Sequence, residues 1–380
     1  MLNAILSKIV PRTLYTVHQK CSIFVSAMST NFNLNNLIRA NVRKMKPYSS
    51  ARDEFSGTAQ VYLDANENPF DTGLNRYPDP HQKELKKVIA KLKKVKPENI
   101  FLGNGSDEPI DLLFRAFCEP GTDHAVFIAP SYGMYEVAAN INNVTYTQVP
   151  LNSEFQLDTD AVLLAAKRKN GALISTKLIF LCSPNNPSGN LLDKASVKRL
   201  LDNFEGLVVI DEAYIDFAED KGWLPELTVY PNLVVLQTLS KAWGLAGIRL
   251  GMAFGSAELV AVLDKIKPPY NINELTQQAA MKALQDAGKV QAQISELLEE
   301  RSKLADGLRP LPFVVRVFPS KANFLLVKTT DARKVYNHCL EHGIILRDRS
   351  KVPGCEGCVR VTIGTPEENL KLLEVLRELN

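Results

Sequence analysis

Leu207-Val208-Val209-Ile210-Asp211-Glu212-Ala213-Tyr214 is the stretch that decides the fold. Its four leading residues form an unbroken apolar run. A strand with one wet face alternates apolar and polar side chains, so such a run reads as a strand buried on both faces. Leu178-Ile179-Phe180-Leu181 and Leu233-Val234-Val235-Leu236 repeat it. Helical patterns lie between such runs, as in Asp107 to Cys118, where Ile110, Leu113, Phe114 and Phe117 share one stripe. The alternation over about residues 97 to 255 predicts an α/β protein. Its large domain holds a mainly parallel, mixed central sheet flanked by helices.

Pro268-Pro269 interrupts the pattern. A charged helical stretch from Leu275 to Leu308 follows, then short strand-like runs at Val314 to Phe318, Asn323 to Val327, Gly343 to Leu346 and Val359 to Ile363. With a helix around Ala332 to His342 and a terminal amphipathic helix, these predict a smaller α+β domain. The expected division is 1–27 an extension, 28–75 an N-terminal arm, 76–270 the large domain and 271–380 the small C-terminal domain.

Charge is unevenly placed. Residues 1–52 carry eight Lys/Arg and no acid, which leaves 37 basic against 42 acidic residues in the rest. A body with that acidic excess is not built to bind nucleic acid. No apolar run is long enough for a transmembrane helix, so no membrane partner is expected. Residues 1–27 read either as an organelle transit peptide or as an extension before a second start at Met28. The expected compartment is the cytoplasm, or an organelle in the first case. Cys355 and Cys358 form a lone C-x-x-C. Zinc in a structural site needs four ligands, and His338, Cys339 and His342 supply no second pair, so no metal is expected.

Four loops leave the ends of buried runs, where ligands collect in open α/β sheets. Gly103-Asn104-Gly105-Ser106-Asp107-Glu108-Pro109 opens a helix, with Ser106 a candidate cap, and a helix start with free N–H groups attracts anions. Ser183-Pro184-Asn185-Asn186-Pro187-Ser188-Gly189 is a rigid turn. Asp211 to Tyr214 puts a carboxylate at a strand end, an expensive place unless it is paired. In Thr238 to Gly251, Lys241 lies among Ala242, Trp243, Leu245 and Ala246, surroundings expected to bury its amine and lower its pKa. Each loop also has a plainer reading: a capped helix, an ordinary turn, a core tyrosine, a surface lysine.

Taken together, the run Thr238 to Gly251 and the turns at Ser183 to Gly189 and Asp211 to Tyr214 resemble the fold-type-I aminotransferases. That resemblance implies pyridoxal 5′-phosphate, carried by Lys241 as a Schiff base. It implies that Asp211 pairs with the pyridine nitrogen and that Tyr214 and Asn186 bind the ring's 3′-oxygen. Ser240 and Arg249 would hold the phosphate with backbone N–H groups at Ser106 and Asp107, and Tyr132 would stack on the ring. A finer likeness is to the histidinol-phosphate aminotransferases. Pro47 to Arg52, Leu63 to Pro69, Asn75 to Pro80, Leu346 to Arg349 and Cys358 to Thr362 carry it. It implies a homodimer with shared sites, Tyr77 reaching the other subunit's cofactor phosphate, and Tyr48, Arg347, Arg360 and Asn186 recognising histidinol phosphate and glutamate or 2-oxoglutarate. Relatives on this scaffold also include aromatic amino acid aminotransferases and threonine-phosphate decarboxylases. Trp243 departs from the likeness, since Phe or Tyr is commoner there.

Overall fold

A computed structural model describes residues 32–50, 54, 57, 59–169 and 172–379. The extension 1–27 and the pair Ala51 and Arg52 lie outside them. Seven strands form the main sheet: β1 (Ile100–Asn104), β2 (His124–Ala129), β3 (Thr145–Pro150), β4 (Thr176–Cys182), β5 (Leu207–Asp211), β6 (Leu233–Thr238) and β7 (Leu250–Phe254). Their order is β1-β7-β6-β5-β4-β2-β3. The strands from β3 to β6 pair in parallel, whereas β7 is antiparallel to both its neighbours.

The unbroken apolar runs are explained by two cores. Val208 and Ile210 enter one core with Leu85 and Ile89 of α3 (Lys83–Lys93) and Val197 and Leu200 of α7 (Lys194–Asn203). Leu207 and Val209 enter the other with Phe114 of α4 (Asp107–Phe117), Tyr135 of α5 (Met134–Ile141) and Leu263 of α8 (Ala257–Ile266). Burying an aliphatic or aromatic side chain of this size contributes about 1.5–3 kcal/mol, and a polar side chain in its place is costly unless it is hydrogen-bonded. Helix α6 (Thr159–Lys167) joins the first core; α1 (Leu34–Leu37) rests on the second, with α2 (Ala40–Lys44) next in the chain.

Leu275 to Leu308 is two helices, α9 (Glu274–Leu284) and α10 (Ala287–Leu308), not one. Ala280 and Leu284 of α9 belong to the first core, while Val290 and Ile294 of α10 pack with Tyr214 and Phe324. One straight helix cannot turn its apolar side to both places, and the chain bends at Gln285 and Asp286. A second sheet holds β8 (Val314–Val317), β9 (Phe324–Thr329), β10 (Arg347–Asp348) and β11 (Cys358–Thr362) in the antiparallel order β8-β9-β11-β10. Gly343 to Leu346 lies outside the ladder; only Arg347 and Asp348 pair with β11. Leu325, Val327, Val359 and Val361 pack under α11 (Ala332–Glu341) and α12 (Pro366–Arg377). Alternation turns Phe324, Leu326 and Arg360 the other way, toward the large body. Among the described residues, no helix is long and apolar enough to cross a membrane.

Candidate active site

The carboxyl ends of the parallel strands share one edge of the main sheet. Because β7 runs backwards, its amino end arrives at that same edge and delivers Arg249. The loops there line a cavity of about 110 Å³ that opens to solvent. Its lining includes Ser106, Asp107, Tyr132, Asn186, Asp211, Tyr214, Ser240, Lys241 and Arg249. All but Tyr132 lie on the four loops expected to share a site, and the family resemblance alone implied Tyr132.

Asp211 ends β5 and is buried, 2% exposed. It accepts hydrogen bonds from the Tyr135 hydroxyl (2.8 Å) and the Ala213 N–H (3.0 Å). Burial pushes its pKa up to about 6, although both bonds pull it back. No cation pairs with it among the described residues.

The opposite end of the cavity favours an anion. Arg249 takes a left-handed backbone (φ 55°), and its carbonyl accepts from the Gly105 N–H (2.8 Å). Gly105 has φ 69°, and a Cβ there would meet the Arg249 guanidinium at 2.6 Å. A Cβ on Gly251 would stand 2.2 Å from the Gly105 carbonyl carbon. These two glycines let β7 press Arg249 against the start of α4, where the N–H groups of Ser106 and Asp107 lie. Ser240 is held by Thr238, which donates to its hydroxyl (2.9 Å) and accepts from its N–H (3.1 Å). Asp107 shares Arg249 (3.5 Å) and accepts from the Tyr132 hydroxyl (3.0 Å).

Lys241 stands between these ends, its Nζ 5.6 Å from the Tyr214 ring centroid. It is exposed, contrary to the expectation from its neighbours. Ala242 is buried beside Tyr214, and Trp243 packs on both cores it touches, so the apolar groups turn away and the amine projects into the cavity. Partial desolvation, then Arg360 and Arg249, still lower its pKa, with Asp211 opposing. Ser106 is corrected too. It already has helical backbone and makes no side-chain cap; Glu108 turns back instead and accepts from the Asn104 N–H (2.6 Å).

Arg360 reaches across from the small sheet. Its guanidinium donates to Asn186 Oδ1 (2.6 Å) and lies 5.2 Å from the Phe324 ring centroid. Since arginine only donates, the Asn186 amide keeps its NH₂ for the cavity. Arg347 pairs opposite Arg360, and the Arg349 N–H donates to the Cys358 carbonyl (2.9 Å). Alternation therefore puts Arg347, Arg349 and Arg360 on one face. Asp348 faces Arg333 (3.7 Å), and Arg347 makes no ion pair among the described residues.

Tyr48 and Tyr77 do not line this cavity. They are 72% and 51% exposed, and Tyr77 stacks on Tyr270 at 4.5 Å in a neighbouring groove. Cys355 and Cys358 are buried free thiols packed with Phe155 and Phe318.

Three residues escaped the sequence reading. Tyr135 follows Tyr132 by three residues, but its role under Asp211 had no local signal. Asn185 is fully buried and ties the two loops, donating to the Pro130 carbonyl (3.0 Å) and accepting from Ser131 (3.1 Å). Arg349 is recognisable only once the strand register is known.

A cofactor for this cavity must bring a buried cation to Asp211, an anion to Arg249 and an amine-reactive group to Lys241. The pyridinium, phosphate and aldehyde of pyridoxal 5′-phosphate match those three positions.

Residues 54–376 match the family model described as aminotransferase class I and II. The chain belongs to this family of pyridoxal-phosphate enzymes. It is 54% identical over 350 residues to a histidinol-phosphate aminotransferase of Cytophaga hutchinsonii, covering 91% of this chain and 99% of the relative. It is 56% identical over 347 residues to that of Parabacteroides distasonis, with the same coverage. The crystal structure of histidinol-phosphate aminotransferase from Sinorhizobium meliloti in complex with pyridoxal-5′-phosphate superposes with a TM-score of 0.72 at 25% identity, covering 80% of this chain and 84% of that one.

Proposed function

We propose that this protein transfers an amino group between L-histidinol phosphate and 2-oxoglutarate, giving imidazole acetol phosphate and L-glutamate, as a step of L-histidine biosynthesis. The observation that carries the reading is Arg360 reaching from the small sheet onto Asn186, with Arg347 beside it. The pocket must accept a phosphate in one half-reaction and a second carboxylate in the other. A guanidinium binds either anion through its planar donor fork, so one pair of arginines serves both.

Bound pyridoxal 5′-phosphate supplies the electron sink that makes the substrate C–H bond breakable and stores the amino group between half-reactions. Asp211 holds the protonated ring nitrogen, and Tyr135 holds Asp211. Ser240, Arg249 and the N–H groups of Ser106 and Asp107 fix the phosphate, while Tyr132 covers the ring. Asn186 and Tyr214 donate to the ring oxygen. Lys241 Nζ would carry the proton between the substrate carbon bearing the amine and the cofactor's C4′ carbon. Its lowered pKa makes a neutral amine accessible for that transfer.

The active form is a homodimer in this reading. Leu63, Phe70 and Leu74 lie exposed near Tyr77 at 88%, 77% and 53%. A second copy would cover this apolar surface and receive Tyr77 at its own site, with Tyr48 reaching substrate. The cytoplasm suits the five described cysteines, all buried and free.

An assay coupled to glutamate formation, with 2-oxoglutarate and histidinol phosphate, phenylalanine or threonine phosphate, tests the substrate. Histidinol phosphate is expected to react fastest. Turnover of phenylalanine without histidinol phosphate would make this an aromatic aminotransferase. Carbon dioxide release from threonine phosphate without consumption of 2-oxoglutarate would make it a decarboxylase.

A further inference from the structure

We propose that His338, His342 and Glu378 form a zinc site that clips the end of the chain onto α11, on the far side of the small domain from the active site. His338 and His342 are four residues apart, so they share one helical face, and their rings lie 4.5 Å apart. Glu378 follows α12, with Oε2 at 3.7 Å from His342 Nε2. One candidate ligand atom from each residue lies within 4.8 Å of the other two, the one such group among the described residues.

Each imidazole has one nitrogen held by a backbone carbonyl. His338 Nε2 lies 2.9 Å from the Val375 carbonyl, and His342 Nδ1 lies 2.8 Å from the His338 carbonyl. A carbonyl oxygen only accepts, so each of those nitrogens carries the hydrogen. Each ring's other nitrogen, His338 Nδ1 and His342 Nε2, therefore keeps its lone pair. Imidazole ligands of metal sites are commonly fixed this way, by donating the second N–H to a carbonyl. Tetrahedral zinc with bonds near 2.0–2.1 Å sets its ligands about 3.3 Å apart, close to the 3.7 Å between His342 and Glu378. His342 and Glu378 are exposed and His338 half-buried, so small side-chain rotations close the remaining gap. Two imidazoles and a carboxylate suit zinc and not magnesium, which prefers all-oxygen octahedral sites. Water takes the fourth position, so this is an open site with three protein ligands and not the closed four-ligand kind that the cysteine spacing failed to supply.

The clip has a structural consequence. Helix α11 packs on β10 and β11, the strands that carry Arg347 and Arg360, and its Arg333 faces Asp348. Joining α11 to the end of α12 braces the helical layer behind these arginines without touching the catalytic cavity.

The test is calorimetric titration of zinc chloride into the pyridoxal-phosphate-loaded enzyme after removal of metals, together with its melting curve. Wild type is expected to bind one zinc per chain saturably and to melt higher with zinc, while magnesium does neither. His342→Gln and Glu378→Gln are expected to weaken zinc binding by at least ~10-fold. Their metal-free melting points and amino-transfer rates are expected to match wild type. Absence of a saturable equivalent in wild type would overturn the proposal. So would unchanged zinc affinity in both variants, which would place the metal elsewhere, for instance on thiols.

Discussion

Asp211 meets two opposed demands, and the opposition is measurable. Its pKa is raised from the ordinary value near 3.9 to about 6. Between those values the folded protein binds more protons than the unfolded chain. The contribution of Asp211 to stability therefore falls as pH rises from about 4 to about 6, then stays flat. The difference between those values corresponds to a penalty on the order of 3 kcal/mol at neutral pH, relieved when a ring cation binds. Cofactor-free Asp211→Asn should thus melt higher than cofactor-free wild type at pH 7.5, while the loaded variant loses at least ~10²-fold in turnover. An unchanged melting point would mean that the carboxylate is not strained in the empty site. Arg360→Gln and Arg349→Gln should each raise KM for histidinol phosphate with less effect on kcat. Loss of a charge-assisted bond, about 1.5–3 kcal/mol, corresponds to roughly 10–100-fold. Steady-state kinetics with each substrate checks this; an unchanged KM for Arg349→Gln would remove that residue from the pocket. Asp211 was legible because it ends a buried run, and Lys241 because the loop that follows another, Thr238 to Gly251, carries the family resemblance. The hydroxyl that holds Asp211 was not, because Tyr135 lies 76 residues away and only the fold brings its helix beneath the strand end. The exposure of Lys241 was also misjudged, since apolar neighbours in sequence point away from it in space.

At the scale of elements, the reversed strand β7 builds the phosphate end. Its apolar run, Leu250 to Phe254, reads as a strand in either direction, so the sequence pattern revealed the strand and not its sense. Sense depends on hydrogen-bond register with β1 and β6, which apolar periodicity does not encode. Only the reversed sense puts Arg249 beside Gly105. Gly251→Ala drives a methyl into the Gly105 backbone, so either β7 or the start of α4 must shift. The expected result is a loss of about 1–3 kcal/mol in stability and weaker retention of pyridoxal phosphate. Thermal denaturation and cofactor absorbance after dialysis measure the two effects. Wild-type behaviour on both would show that the glycine pair is not what seats Arg249. The division of Leu275 to Leu308 at Gln285 was hidden for a related reason. Both halves carry good helical periodicity, and the bend arises from the separate cores they serve.

For the whole molecule, two sheets meet so that the large one supplies the cofactor end and the small one the arginines that select the substrate. The layers were legible from runs and periods; their docking was not, because the contact between Arg360 and Asn186 spans 174 residues. The exposed arm around Leu63, Phe70 and Tyr77 is left without cover in a single chain. Sedimentation should therefore give the mass of two chains, and Leu63→Asp with Phe70→Asp should yield monomers with little activity; fully active monomers would refute shared sites. The most direct measurement concerns Lys241. The protein loaded with pyridoxal 5′-phosphate is reduced with borohydride, digested and mapped by mass spectrometry. The predicted result is a pyridoxyl label on the peptide containing Lys241 and on no other. A label on a different lysine, or full amino transfer by Lys241→Ala with no label at all, would contradict the assignment.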